Sequence, residues 1–519
     1  MTRYLKYLTL VLLYGIFPLL GYWANNLGQV RPDVVFKPAL IIALFSWILY
    51  SAFLIILRSF HKSALISLLI LILFFSFGHV DNLFSKINTD RFLPFSILLL
   101  IVYILIFNIG TFLIFRIKKI PEGYFNYFYI MIGLLILFNL SRAIQFEARL
   151  ANSPKKTSVQ PSSLPIENLP DIYYIVLDSY SRDDILQEMY NVDNSAFLGE
   201  LQLRGFYLPK CAFSNYDITV DTISSVLNMN YLDELRIPNA TLSIVTSQKT
   251  MLILDNQVRH KFAELGYQFV ATRGWAAFNN INNADIYLNY YESQRQPDTL
   301  SGRIFVNHFL DTTFFRGLKD VFFLISDSDK YPKNIASSND VIKTDLDYVE
   351  ANFWFNQTNY VFDSLADLPE KPGNYLVYAH INSPHIPYVF SKDGSFRFSA
   401  GTTDQKVLYA DTLVYLNQRV LKLVDTLIEK SNVPPIIIIQ ADHGTQAYSF
   451  GINKHKILSA YYLPGENVTQ PYPTITPVNN FRLILKDYFD PSVELLPDIL
   501  VVKINGEYKK IQSSCTPLP

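Results

Sequence analysis

Over the first 146 residues long apolar runs alternate with short charged breaks, and beyond them that pattern stops. Five runs are long enough, or nearly so, to cross a hydrocarbon layer: Tyr7 to Trp23, Ala39 to Leu57, Ala64 to Val80, Leu93 to Phe115 and Tyr124 to Leu140. A cleaved leader would account for the first run but not for the four that follow, so residues 1–146 are expected to form a multi-span membrane region. Residues 147–170, with Asn152-Ser-Pro154, Lys155-Lys156 and Pro161-Ser-Ser163, read as an extended Pro/Ser-rich linker.

From Asp171 to Pro519 short apolar runs alternate with stretches of helical spacing. Strands are expected at 172–178, 206–208, 267–271, 375–380, 436–439 and 457–463, and helices at 184–203, from Thr219, at 251–265 and at 404–430. This alternation predicts an α/β domain, an α/β/α sandwich on a mainly parallel sheet. The stretch from Arg273 to Val341, rich in Asn, Asp and aromatics, fits neither period and is expected to be an insertion over the sheet edge.

Charge adds orientation. Arg3 and Lys6, Arg58 and Lys62, and Arg116, Lys118 and Lys119 mark the cytoplasmic ends; the loops with Arg31 and Lys37, and with Lys86 and Arg91 offset by Asp81 and Asp90, carry less net positive charge. An odd number of spans then places the C-terminal domain outside the cytoplasm, in a multi-pass protein of the cell membrane. The formal net charge of -1 and the lack of a basic run give no reason to expect nucleic acid as a partner. Cys211 and Cys515 could pair in an oxidising compartment but lie far apart in sequence, and two free thiols are the preferred reading.

The chemistry gathers at strand ends. Asp178 closes the run from Ile172, and Asp442-His443-Gly444 closes the run from Ile436. Carboxyl ends of parallel strands are where α/β proteins place ligands, and two carboxylates with an imidazole suit one divalent ion, Zn²⁺ or Mn²⁺, with Mg²⁺ or Ca²⁺ also accommodated. A fourth ligand is wanted, and a hydroxyl bound to the ion would serve as nucleophile. Thr219 at a helix start is the candidate, with Thr222 and Ser224 as rivals; as a common N-cap residue, Thr219 needs no catalytic role at all. Four of the eight histidines fall between 380 and 455. Of these His385, flanked by prolines, is the candidate for binding a phosphate or leaving group, while His455 reads as part of a solvated basic loop or as an oxyanion contact.

A strand-ending Asp, a hydroxyl about forty residues later at a helix start, a Pro-His-x-Pro loop and a strand-ending Asp-His-Gly resemble the alkaline phosphatase and sulfatase superfamily over roughly Asp171 to Gly465. Five spans followed by an outer domain are similar to the lipoteichoic acid synthases and lipid A phosphoethanolamine transferases. The resemblance implies that Asp178, Thr219, Asp442 and His443 hold the metal, that Thr219 is the nucleophile, and that His385 contacts substrate. It implies a membrane-anchored, metal-dependent hydrolase or transferase of phosphate esters, with membrane lipid or a lipid-linked substrate as partner. Position 381 is Ile where two-metal relatives carry Asp, which implies one ion unless His380 or His455 fills the gap. The chain departs from the transferases in having Asp178 where they have Glu, and in lacking a Gly before Thr219. Neither cysteine lies in a Cys/Ser-x-Pro-x-Arg motif, which sets sulfuric ester hydrolysis second; a catalytically inactive binding module of the cell envelope is the third reading.

Overall fold

A computed structural model describes residues 2–28, 32–85, 95–118, 121–152, 169–235, 237, 243–274, 279–295, 300–326, 345–398, 404–445, 451–466 and 468–515. Most of the expected linker, and Arg31, Lys86, Asp90, Arg91 and Lys119 of the loops, lie outside these residues. The chain divides into two compact units, one of residues 1–148 with 299–343, the other of 149–298 with 344–519.

In the first unit each apolar run is a helix: α1 Thr2–Asn25, α2 Pro32–Leu57, α3 Phe60–Ser85, α4 Phe95–Arg116 and α5 Glu122–Asn152. All five are long and apolar enough to cross a membrane. α2 and α4 expose most of their apolar side chains, as lipid-facing helices do, and α1 and α3 bury more of theirs between neighbours.

In the second unit the elements run β1 Ile172–Leu177, α6 Asp183–Tyr190, α7 Ser195–Leu203, α8 Thr219–Leu227, α9 Ser243–Leu254, α10 Gln257–Glu264, β2 Gln268–Thr272, β3 Ile286–Leu288 and α11 Tyr290–Ser293. The stretch expected over the sheet edge divides: its first part stays with the sheet as the edge strand β3 and α11, and the chain then crosses to the first unit as α12 Leu300–Asp311 and α13 Phe315–Ser326, which belong with the apolar helices. It returns as α14 Asp345–Ala366, β4 Tyr375–Ile381, α15 Gln405–Lys430, β5 Ile436–Gln440, β6 Ser459–Tyr462, α16 Asn480–Tyr488, β7 Ile499–Ile504 and β8 Glu507–Gln512.

Among the described residues six strands form a sheet in the order β3-β2-β4-β1-β5-β6, parallel except for β6. β1 is central and buried at every position, which is why it reads as an unbroken apolar run. Tyr173, Ile175 and Leu177 face α14 and α15 through Phe362, Leu365, Leu413 and Val420. On the other face the Tyr174 ring meets Phe481 of α16, which meets Phe262 of α10. The expected α/β/α sandwich is therefore present.

Local chemistry splits two expected helices. Asn191, in the left-handed region at φ 52°, ends α6 before α7 begins, and the Asn256 side chain accepts from the Arg259 amide and starts α10 as a separate helix. The expected strand at 206–208 reduces to one bridge between Tyr207 and Tyr461.

The cysteines are bonded to each other, contrary to the reading as free thiols. Sequence distance misled because folding brings their Cα atoms to 5.2 Å. The bond joins the tail after β8 to the loop leading into α8, where Leu500 and Val502 of β7 pack on Phe213. Replacing Cys515 with Ser is expected to cost about 2–4 kcal/mol and lower the Tm of the full chain, with no further fall on adding reductant.

Candidate active site

Strand order assembles the site. β1 lies between β4 and β5, so their carboxyl ends deliver Asp178, His380 and Asp442 side by side, all buried, with ligand atoms within 4.8 Å of one another. The register sets His380 opposite Val176, and the Asp178 amide continues the ladder to the Ile381 carbonyl.

Ser179 holds a left-handed φ of 65°, a conformation a non-glycine residue adopts at a cost. That turn aims its amide at Asp442 Oδ1 (3.2 Å) and its hydroxyl at Asp178 Oδ1 (3.1 Å). Asp442 Oδ1 also accepts from the His443 amide, whereas Asp442 Oδ2 is buried with no hydrogen-bond partner. A buried carboxylate oxygen left bare is costly, and a cation is the partner that would complete it.

His443 Nδ1 donates to the Gly444 carbonyl at 2.8 Å, leaving Nε2 as the nitrogen that faces the site. Nε2 lies 3.5 Å from Asp442 Oδ2, 3.8 Å from Asp178 Oδ1 and 3.2 Å from Thr219 Oγ1. The four residues expected to hold the ion thus converge. Burial opposes the charge on Asp178, but His385, His380 and His443 outweigh it and hold this carboxyl well below the usual carboxylate range.

Thr219 is the first residue of α8, and the extended Ile218 takes the N-cap position, so Thr219 does not serve as a cap. Its rivals are spoken for: Thr222 Oγ1 donates to the Tyr216 carbonyl and Ser224 Oγ to the Val220 carbonyl, and both are fully buried. Asp221, in the first turn, forms a buried ion pair with Lys249 of α9, which fixes the direction of α8.

His380 was not separable from a loop histidine by spacing alone. The signal that identifies it is the register of β1 and β4. Its Nε2 donates to Asp178 Oδ2 at 3.2 Å and its Nδ1 accepts from the Tyr378 hydroxyl at 2.9 Å. Burial lowers the His380 pKa and Asp178 raises it, with a net upward shift.

His455 is fully buried, which corrects its reading as part of a solvated loop. A side chain on Gly444 would come within 2.9 Å of the Lys454 and Lys456 carbonyls, so only glycine lets the turn carrying His455 approach the Asp-His-Gly segment this closely. His455 Nδ1 donates to the Ser214 carbonyl, and its buried Nε2 has no protein partner. Burial pushes its pKa down. His385 stands between two cis peptide bonds, Ser383–Pro384 and Ile386–Pro387, its Nδ1 donating to the Ile386 carbonyl at 2.7 Å. Arg182, four residues after Asp178, is paired with Asp184.

The sulfatase family model matches residues 170–480, more than half of the chain, and spans every residue of this site. The chain belongs to the sulfatase family. No curated protein matches its sequence. Among solved structures the chain is similar to the C-terminal periplasmic domain of EcEptC from Escherichia coli in complex with Zn, at 12% identity, covering 68% of this chain and 94% of that one with a TM-score of 0.38. It is also similar to the lipoteichoic acid synthase LtaP from Listeria monocytogenes, at 12% identity, covering 62% and 72% with a TM-score of 0.35. The integral membrane lipooligosaccharide phosphoethanolamine transferase A (EptA) from Neisseria meningitidis is a third, at 10% identity, covering 88% of each chain with a TM-score of 0.35. The chain thus joins a sulfatase family domain to five helices long and apolar enough to cross a membrane.

Proposed function

We propose that the protein is a metal-dependent transferase or hydrolase of phosphate esters that works through a threonine-linked intermediate. The observation that carries this reading is Thr219 Oγ1, at the first turn of a helix, 3.2 Å from His443 Nε2, which in turn lies 3.5 Å from Asp442 Oδ2. Asp178, Asp442, His443 and Thr219 would hold one divalent ion, Zn²⁺ or Mn²⁺ by the mixed oxygen and nitrogen donor set, with His380 orienting the Asp178 carboxylate through its hydrogen bond. When bound, the ion supplies a lowered pKa at the threonine hydroxyl and polarises a phosphoryl oxygen.

The chain's own residues do the rest. Thr219 Oγ, its proton released to solvent, attacks phosphorus, the P–O bond to the leaving alcohol breaks, and the remaining phospho-alcohol group is left esterified to Thr219. The amides of the first turn of α8 face the developing negative charge. His385 protonates or hydrogen-bonds the leaving oxygen, and an acceptor alcohol or water then attacks the threonine ester. His455 Nε2 accepts a proton from a substrate oxygen, or donates to it once protonated. His455→Ala is therefore expected to lower kcat/KM by roughly 10–100-fold, the worth of one buried charged hydrogen bond, with the fold intact. Steady-state kinetics beside circular dichroism would check it.

A catalytic unit in an oxidising compartment outside the cytoplasm is supported by the basic loops at one end of α1 to α5 together with the disulfide. Attachment to five spans favours a lipid-linked phosphodiester as donor, since a tether raises the effective concentration of membrane substrates. Sulfuric ester hydrolysis through a matured cysteine is disfavoured on an added ground, because Cys211 is consumed in the disulfide. The test is turnover of a chromogenic phosphodiester and of its sulfate ester analogue by the full chain, metal-free and Zn²⁺- or Mn²⁺-loaded. Metal-dependent phosphodiester cleavage supports the proposal; cleavage of the sulfate ester alone sinks it.

A further inference from the structure

The segment α12–α13 leaves the catalytic unit at residue 298 and returns at 344, yet it is built into the helical unit. Its attachment to α3 is through the backbone. The Phe314 amide donates to the Phe74 carbonyl at 2.8 Å, and the Gly78 amide donates to the Thr312 carbonyl at 3.1 Å. Phe74 C=O and Gly78 N–H are the groups that a regular helix pairs with each other. A side chain at position 78 would come within 2.3 Å of the Asp311 carbonyl and 2.5 Å of the Thr312 carbonyl carbon, so glycine is required there. Beside this splice Phe305 and Phe309 of α12 pack on Tyr22 of α1, Phe314 packs on Phe77 of α3, and Arg316 pairs with the buried Asp81 and with Asn82.

Depth follows from helix geometry. α3 has 26 residues. At 1.5 Å per residue that is about 39 Å, over a hydrocarbon layer of about 30 Å, and Phe74 and Gly78 lie about 16 and 10 Å from its Ser85 end. The turn at 312–314 therefore falls within the apolar layer, toward the end of α3 opposite Arg58 and Lys62. That is also the end at which α5, running parallel in topology, delivers the chain to the catalytic unit.

Irregular backbone survives at that depth only if the protein satisfies its polar groups. Here it does: the amides of Thr312, Thr313, Phe314, Phe315 and Arg316 donate in turn to the carbonyls of Phe309, Leu310 and Phe74, to Thr313 Oγ1 and to the Thr313 carbonyl. Thr312 and Thr313 turn their hydroxyls back onto the Phe309 and Leu310 carbonyls. The apolar Phe315 and Leu318, one turn apart, are 44% and 47% exposed, on a helix whose Arg316 and Lys319 are paired with Asp81 and Asp311. The Phe315 ring meets Phe74, which meets the exposed Phe45 of α2, so the exposed surface of α13 is continuous with that of the spans. Helices of 12 residues are too short to cross and of the length that enters and returns.

We propose that residues 300–326 form a re-entrant hairpin that enters the bilayer beside α3 and presents Phe315 and Leu318 to lipid acyl chains. The catalytic unit is then held at the membrane by three chain crossings, near residues 148, 298 and 344, and not by the α5 linker alone.

The test uses the full chain in phosphatidylcholine nanodiscs. Both native cysteines are in the disulfide, so Leu318→Cys and, as an exposed reference on α15, Glu429→Cys each give one site for a nitroxide label. At 318 the label is expected to collide readily with oxygen and to be shielded from a water-soluble nickel chelate on the order of tenfold relative to 429, as at lipid-facing positions. Equal access of the chelate to both positions overturns the proposal. So does shielding from both reagents at 318, which would mean that protein, such as a second copy of the chain, covers this face. Hydrogen exchange on the unaltered chain guards against a misfolded variant: the amides of 312–316 are expected to exchange on the order of 100-fold more slowly than that of exposed Asn432, and comparable rates overturn the splice.

Discussion

Thr219→Ala is expected to reduce phosphodiester turnover by at least about 10³-fold, as removal of a covalent nucleophile does, while leaving the protein folded. The reason lies in what the hydroxyl touches. Thr219 Oγ1 has its contact with His443 Nε2 at the site, and the residue is half-buried at the start of α8, where Asp221 and Lys249 hold the helix independently. Alanine keeps the helix start and loses only the reacting oxygen. Thr219→Ser retains a hydroxyl and is expected to retain partial activity. Single-turnover kinetics with the chromogenic substrate would separate loss of chemistry from loss of binding. An alanine variant within tenfold of the parent would show that another group attacks.

The second large effect concerns Asp442. With saturating Zn²⁺ or Mn²⁺ the parent is expected to be more stable than after chelation, by about 2.7 kcal/mol at a hundredfold excess over Kd. Asp442→Asn should abolish that difference. The amide oxygen can still accept from the Ser179 and His443 amides as Oδ1 does, but the bare Oδ2 becomes an N–H₂ group that cannot bind a cation. The metal-free variant is expected to match or exceed the metal-free parent, since a fully buried carboxylate with one oxygen lacking a hydrogen bond has been made neutral. Calorimetric melting of both proteins with and without chelator would check this, and an Asn variant that still responds to metal would move the ion elsewhere.

Much of this site was legible in the sequence because parallel sheets leave a plain signature. The unbroken apolar runs of β1 and β5 end at Asp178 and at Asp442-His443-Gly444, and the sheet places those ends together. Thr219 was legible as a helix start, but its spacing does not set it apart from Thr222 and Ser224, whose hydroxyls turn to carbonyls while that of Thr219 faces His443. His380 depended on the pairing of β1 with β4, and the Cys211–Cys515 bond on a contact between the two ends of the catalytic unit; neither pairing has a local signal. The hairpin of α12 and α13 escaped for a different reason. Its helices are too short for the length rule that finds spans, and its polar residues are matched by partners such as Asp81 that lie far upstream. His455 looked solvated because its neighbours are basic, and only the close approach at Gly444 buries it.

The central claim is a covalent ester on Thr219, and mass spectrometry of the acid-quenched full chain tests it directly. After mixing the metal-loaded protein with a phosphodiester donor, the peptide containing Thr219 should gain the mass of the transferred phospho-alcohol group at that residue. The gain should be absent in metal-free protein and in Asp442→Asn. Metal-dependent turnover with Thr219 unmodified at every quench time, or with the added mass on another residue, would contradict the account.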